Sequence, residues 1–465
     1  MSRTGRSYTD VLLAGLAPDG GLYVPAEYPR ISTSELEALR ACPYRDIAFA
    51  IKKTLIGGVI PDNDLRNLIA RAYSREAFGD VAEGNVVPLM EANDGLYVQQ
   101  LSLGPTAAFK DMALQMLARE MDYELARRNE RLTILGATSG DTGSAAEAAF
   151  KGLERIRLFM LSPEEGMSAF QKAQMGALSG DNIFNISVRG RFDDCQDLVK
   201  RLKAQKEFSH LGAVNSINWG RIASQVPYFV SGYLQAVEKV GDAVDFVVPT
   251  GNFGNVLSGY IAKRMGVPIR SLFVAVNENN VLDKLFKTGV YEQTPARVTS
   301  SPSMDISKAS NYERLVFDMF DSDAVKTAAY MREFETNKKV ALKDYGVSVE
   351  KFHELGFESG SSTHADRLEA IRYVYARAQF IIDPHTADGV SVGQRYKDSH
   401  ERVPMVCMGT ALPVKFEATV KEALGFAPER PHRFRNLEDS LQSGAFHTID
   451  ASTDELAAYV RANSV

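Results

Sequence analysis

Short apolar runs of strand character recur along this chain, and longer segments of helical period separate them. Leu132–Leu135, Leu158–Leu161, Ile183–Ile186, Phe246–Pro249, Leu272–Val276 and Met405–Met408 are such runs, with helical stretches at 143–151, 193–205, 220–239 and 254–265 between them. A strand that reaches its next partner through a helix pairs with it in parallel, and the helices then cover both faces of the sheet. The fold class expected is therefore α/β. At 465 residues the chain is longer than one core can serve, so two or three domains are expected. Residues 1–95 read as a mainly helical N-terminal domain, with helices at 34–41, 45–55 and 62–77 after an initial hairpin. Residues 96–225 read as a smaller α/β domain, and residues 226–465 as a larger one that carries a charged helical excursion at 320–360.

Composition narrows the function classes. Fifty-three Lys and Arg stand against 59 Asp and Glu, a net charge of −6 without long runs of one sign. That balance argues against nucleic acid or an anionic membrane as the partner. Cys42, Cys195 and Cys407 are scattered without CxxC spacing, which suggests neither a disulfide framework nor a metal site and makes a reducing cytoplasm the expected home. Arg3 and Arg6 precede the run Val11–Ala17, but the run is short and leads into the turn Pro18-Asp19-Gly20-Gly21 and the strand-like Leu22-Tyr23-Val24. A short helix and hairpin of a folded domain is the expectation there. No stretch approaches the roughly 20 apolar residues that a membrane span needs.

Against this background Lys110 stands out. It follows Gly104-Pro105 and the patch Ala107-Ala108-Phe109, and Met112, Leu114, Gln115, Met116 and Leu117 continue at helical spacing. Thr106 is the expected N-cap of that helix. An ammonium in apolar surroundings loses hydration, its pKa falls, and it becomes a candidate nucleophile for a carbonyl. The alternative is a lysine whose stem lies on the apolar face while its head reaches water.

Three loops at the ends of strands accompany it. Gly136-Ala137-Thr138-Ser139-Gly140-Asp141-Thr142-Gly143-Ser144 joins a strand to a helix and presents free backbone N–H groups, an anion receptor. A helix merely capped by Ser139 or Thr142 is the other reading. Pro249-Thr250-Gly251-Asn252-Phe253-Gly254-Asn255 repeats the arrangement with glycines that let a phosphate approach. It is neither a GxGxxG nor a GKS/GKT motif, and a plain tight turn would read the same way. Thr410, in Gly409-Thr410-Ala411-Leu412-Pro413-Val414-Lys415-Phe416, places a hydroxyl after a strand, where ligands of open α/β sheets bind. A lysine, a phosphate-type loop and a terminal hydroxyl are together what pyridoxal 5'-phosphate requires.

With these motifs in order, the chain resembles the threonine synthase family, within the tryptophan-synthase-β-like, fold type II class of pyridoxal phosphate enzymes. The likeness runs through Pro18–Pro25, Gly104–Asp111, Ala137–Gly143, Asn215–Arg221, Gly251–Asn255, Ser301–Asp305 with Ser310-Asn311, and Asp383–Ala387. It implies two parallel-sheet domains behind a mainly helical N-terminal one. It also implies that Lys110 is the lysine that holds the cofactor and acts as catalytic base, that Gly251, Asn252, Phe253, Gly254 and Asn255 bind the cofactor phosphate, and that Thr410 meets the pyridine nitrogen. Thr138, Ser139, Asp141 and Thr142 would receive the substrate carboxylate, and Asn218, Arg221, Lys415 and Lys308 are candidates for the substrate phosphate. His385 would cap a helix or touch substrate. The reaction implied is O-phospho-L-homoserine plus water giving L-threonine plus phosphate, in a cytoplasmic monomer or homodimer. A serine/threonine dehydratase or a phosphothreonine phospholyase of the same cofactor class is the alternative. Two departures are visible: Asp141 stands where related enzymes carry Asn, as is common in threonine synthases, and Leu412-Pro413-Val414 replaces a frequent His-Pro-Ala.

Overall fold

The computed structural model describes residues 5–397, 403–439, 441 and 444–464, so Arg3 lies outside the described residues. Its strands, in chain order, are β1 (Leu89–Asn93), β2 (Leu96–Gln100), β3 (Leu132–Ala137), β4 (Ile156–Pro163), β5 (Ile183–Arg189), β6 (Val244–Pro249), β7 (Ile269–Val276), β8 (Val290–Glu292), β9 (Lys339–Ala341), β10 (Phe357–Ser361), β11 (Met405–Gly409) and β12 (His447–Asp450). Two main sheets result. The larger has the order β1-β2-β11-β6-β7-β10 and the smaller β12-β5-β4-β3. Pairing within both is parallel except between β1 and β2.

The strand order corrects the domain boundaries read from sequence. β1 and β2, on either side of residue 95, both belong to the larger sheet, and β12, near the C-terminus, closes the edge of the smaller one. Each sheet thus draws on separated stretches of chain. A linear reading misses this because a crossover places a strand by packing, not by sequence order. The segment 320–360 likewise contains β9 and the edge strand β10 besides its helices.

The N-terminal region is helical as expected, with helices Thr33–Leu39, Tyr44–Ile56 and Asp62–Ala72. It has no core of its own: Leu36, Tyr44, Ile47, Leu65 and Tyr73 join one apolar cluster with Met112, Met116, Val226 and Phe229. No initial hairpin forms, because Leu22–Val24 finds no strand partner. That extended segment is held by side chains instead: Leu22 N–H donates to Glu313 Oε1 (3.3 Å) and Arg314 Nε donates to the Tyr23 carbonyl (2.9 Å).

One polar network is sealed inside this junction. Lys52 Nζ reaches Glu120 Oε1 at 2.9 Å and lies 3.0 Å from each of Tyr8 Oη, Glu120 Oε2 and Ser224 Oγ. Four elements are tied at one buried charge pair, among them the helix Lys110–Arg128 and the helix Trp219–Ala236. Removing either partner would strand the other charge in a dry interior.

Candidate active site

The helix that carries Lys110 begins at Lys110 itself, and its N-cap residue Phe109 has helical dihedrals and no side-chain cap. Thr106 is therefore not the cap. It lies too far upstream, and the adjacent helical residue Asp111 binds it instead: Thr106 N–H donates to Asp111 Oδ2 (2.9 Å) and Thr106 Oγ1 to Asp111 Oδ1 (2.6 Å). Burial pushes the Asp111 carboxyl up to about 6, against the pull of the Thr106 hydrogen bonds. The chain ahead of the helix is pinned to the end of β11, with Phe109 N–H donating to the Thr410 carbonyl (2.8 Å) and Leu412 N–H to that of Ala107 (3.1 Å). Lys110 and Thr410 thus belong to one site because their backbones are joined.

Asp141 is the electrostatic centre of that site. Lys110 Nζ donates to Asp141 Oδ2 (3.3 Å), as does Ser303 Oγ (2.9 Å), while Gln171 Nε2 donates to Oδ1 (3.0 Å). Lys415 Nζ approaches Oδ1 at 2.6 Å and donates to the Thr106 carbonyl at 3.1 Å. The Lys415 side chain is fully enclosed, whereas that of Lys110 keeps 13% exposure. Burial works against the charge on Asp141, but the two lysines outweigh it and hold its carboxyl well below the usual range. For Lys110 burial dominates, and with the nearby charges of Lys415 and Arg221 it lowers the amine, although Asp141 pulls the other way. A lysine with a lowered pKa is a better carbonyl nucleophile at neutral pH.

The 138–142 loop is not capped by Ser139 or Thr142. The residue at the N-cap is Gly140, and Ser139 is exposed. Thr138 Oγ1 organises the turn by accepting from Gly140 N–H (3.0 Å) and Gly143 N–H (2.8 Å). Gly140 sits at φ +138°, and a Cβ there would meet the Gln171 side chain at 2.5 Å, so this position excludes larger residues.

In the 250–255 loop most side chains are engaged with the surrounding fold. Phe253 takes a left-handed φ of +67° and packs its ring against Phe286, Tyr312 and Phe357. Asn311 N–H donates to the Asn252 carbonyl (3.1 Å), and Ser310 Oγ to Asn252 Oδ1 (3.3 Å). The helix Gly254–Met265 starts here, with its first N–H groups directed out of its end. At Gly251 a Cβ would come within 3.0 Å of the Ser303 carbonyl, so the loop lies tightly against the segment that holds Asp141.

Three buried polar atoms here have no hydrogen-bond partner among the described residues: Thr410 Oγ1, Asn255 Nδ2 and Arg221 Nε. Buried polar groups are almost always satisfied, so these three are candidates for contact with a ligand. A hydroxyl for a ring nitrogen, donors for an anion and the amine of Lys110 are the set that pyridoxal phosphate needs, and the residues fit it.

The remaining candidates separate clearly. Arg221 is buried, and its guanidinium makes one hydrogen bond, to the Val214 carbonyl (2.9 Å). Asn218 is taken up by the fold: its Oδ1 accepts from Gly220 N–H (2.8 Å) and its Nδ2 donates to the Leu12 carbonyl (2.9 Å), which removes it from the substrate-phosphate set. Lys415 commits two of its three N–H donors to Asp141 and the Thr106 carbonyl. Lys308 pairs with Glu335 near the surface. His385 does not cap a helix; it accepts from Ser303 N–H at Nε2 (3.0 Å) and faces Asp383 at Nδ1 (2.8 Å). Leu412, in place of the imidazole expected from the resemblance, packs on an apolar cluster with Ala107, Phe170, Val414 and Phe434. The roles of Gln171, Ser303, Asp383 and Thr386 were not read from sequence. Ser303 and Asp383 lie in segments that the resemblance includes, whereas Gln171 gives no sequence signal beyond a capping box with Ser168.

Comparison with known proteins agrees with this geometry. Residues 86–348 match a family profile described as pyridoxal-phosphate dependent enzyme, residues 2–73 one described as threonine synthase N terminus, and residues 386–460 one described as threonine synthase, C-terminal. The chain is 47% identical to a threonine synthase of Methylobacillus glycogenes, over 96% of this chain and 95% of that protein. A crystal structure of PLP-bound threonine synthase from Brucella melitensis superposes with a TM-score of 0.91 at 39% identity, covering 98% of this chain and 97% of the other. Threonine synthase from yeast superposes at 0.90 with 34% identity, covering 98% and 96%. The chain belongs to the threonine synthase family of pyridoxal-phosphate-dependent enzymes.

Proposed function

We infer that this chain is a threonine synthase that converts O-phospho-L-homoserine and water to L-threonine and phosphate. The observation that carries the reading is the Lys110 amine 3.3 Å from a charged Asp141, together with a buried Thr410 hydroxyl that has no hydrogen-bond partner among the described residues. Pyridoxal phosphate, held through Lys110 Nζ, supplies the electron sink that makes the substrate's α hydrogen acidic.

The protein's own groups supply the rest. Lys110 Nζ takes the α proton and then a β proton, for which it must be a free amine once substrate is bound; its lowered pKa favours that state. Asp141 accepts only, and so holds a proton between itself and whatever donor faces it. Thr410, a neutral hydroxyl, would face a ring nitrogen without offering it a charge partner, so control of the reacting carbons would fall to the positions of Lys110 and Asp141. Gly251–Asn255 receive the cofactor phosphate through backbone N–H groups. Thr138, Ser139 and Thr142 line the turn offered to the substrate carboxylate. Arg221 is the cation we assign to the substrate phosphate, because it is buried and, among the described residues, its Nε has no hydrogen-bond partner and its guanidinium no carboxylate partner.

Three free cysteines fit a reducing cytoplasm, and among the described residues no helix is long and apolar enough to cross a membrane. We propose a monomer or homodimer, to be read by light scattering. The deciding experiment mixes the purified, cofactor-loaded protein with O-phospho-L-homoserine and follows both products. Phosphate and L-threonine in equal amounts are expected. Formation of 2-oxobutyrate from L-threonine or of pyruvate from L-serine, each with ammonia and without threonine synthesis, would replace this reading with that of a dehydratase.

A further inference from the structure

Asp383 lies outside every role assigned above, yet it is fully buried at the centre of the site's polar contacts. Its Oδ1 accepts from His385 N–H (2.9 Å) and faces His385 Nδ1 (2.8 Å). Its Oδ2 accepts from Thr386 Oγ1, from Thr386 N–H (3.4 Å) and from Ala411 N–H (3.3 Å).

Two arms leave this carboxylate. In the first, Thr386 Oγ1 donates to Asp383 and so presents its lone pairs to Thr410 N–H (3.1 Å), while Asp383 takes Ala411 N–H directly. Both contacts fix the backbone that carries the Thr410 hydroxyl. In the second, Ser303 N–H can only donate, so His385 Nε2 is the unprotonated ring nitrogen and Nδ1 carries the hydrogen toward Asp383. Ser303, placed by that contact, donates through Oγ to Asp141 Oδ2 at 2.9 Å, the oxygen that Lys110 Nζ also reaches.

We propose that Asp383 is a positioning residue that couples the two ends of the cofactor site: one carboxylate holds the Thr410 backbone through Thr386 and Ala411, and holds Asp141 toward Lys110 through His385 and Ser303. This rests on the functional reading above and deepens it. All five contacts on Asp383 come from donors, so only a group that accepts at both oxygens serves both arms. An amide of the same shape must turn its NH2 toward one arm, and that arm breaks.

The test uses the cofactor-loaded protein and three readouts: the pH midpoint of the absorption band of the lysine-bound cofactor, cofactor retention on dialysis, and kcat against KM. The charged groups around Lys110 are Asp141, Lys415 and Arg221, and no variant used here alters them. Ser303→Ala is expected to move the band midpoint by about one pH unit while retention stays unchanged. Thr386→Val is expected to weaken retention several-fold and leave the midpoint in place. Asp383→Asn is expected to show the defect of the arm it breaks and to lower kcat about tenfold with KM little changed.

If Asp383 and Ser303 act in series, Ser303→Ala added to a midpoint-shifted Asp383→Asn protein moves the midpoint by less than half as much as it does alone. An Asp383→Asn protein with wild-type midpoint and retention overturns the proposal, and so does a full Ser303→Ala effect in that background. Should Asp383→Asn not fold, His385→Asn takes its place, and an unmoved midpoint in that variant is equally decisive against the relay. Wild-type protein that forms no lysine-bound band, or makes no phosphate from O-phospho-L-homoserine, defeats the functional reading; a normal wild-type band with unmoved variants defeats only the role of Asp383.

Discussion

The two ends of the site are finished in opposite ways. Around Asp141 the charges are paired: two lysines, Gln171 and Ser303 share its two oxygens. At Thr410, Asn255 and Arg221 the interior contains buried polar atoms with no hydrogen-bond partner among the described residues. The first end is a preassembled electrostatic centre that stabilises the fold with or without a ligand. The second costs the empty protein stability, and a ligand offsets that cost when it binds. Substitutions at the two ends should therefore move stability and ligand binding in different proportions.

The largest effect belongs to the first end, at the lysine that reaches Asp141 Oδ2. Lys110→Ala should reduce threonine formation by at least about 10³-fold and abolish the lysine-bound absorption band, with circular dichroism unchanged. Asp141→Asn should cost about 3–5 kcal/mol in urea unfolding of the cofactor-free protein, because it strands the enclosed Lys415 charge. Adding Lys415→Met should recover much of that loss, and a double variant as unstable as the single one would show that the pair is not what holds this end together.

A pair of aspartates gives the pH test. Asp141 has a folded pKa below its unfolded value, so its stabilisation is complete above the ordinary aspartate range and is lost as pH falls through the folded value. Asp111 is the reverse. Its folded pKa is raised to about 6, so the folded state holds the proton more tightly and stability falls as pH rises from about 4 to about 6. Asp111→Asn should therefore look roughly 2–3 kcal/mol more favourable relative to wild type at pH 8 than at pH 4, and an equal difference at both pH values would refute the assignment. The smallest effect is at the unpaired end. Thr410→Val should leave the empty protein as stable or about 1 kcal/mol more so, while cofactor retention falls about tenfold.

Much of this was legible in the sequence because it is local. The strand–loop–helix units at 132–150 and 244–265 each carry their own signal, apolar run, then glycine and hydroxyl, then helical period, and their loops fall at the site. What failed was also local, in that several side chains could have served two purposes. Asn218 resembled a phosphate ligand and is a helix cap; Thr106 resembled a helix cap and is bound by Asp111. Neither choice can be made without knowing which groups lie across the fold. Gln171 shows the same limit from the other side, since its capping-box role with Ser168 hides its bond to Asp141.

By itself the sequence determined the α/β class and the family, because periodicity and turn chemistry act over a few residues and the motifs keep their order along the chain. The tertiary structure alone decided that β1 and β2 belong to the larger sheet, that Lys415 serves Asp141, and that Asp383 joins both ends of the site. The physical reason is distance in sequence. Asp383, Ser303 and Asp141 meet through hydrogen bonds a few ångströms long, and no local preference of the chain specifies which distant donor will reach which acceptor.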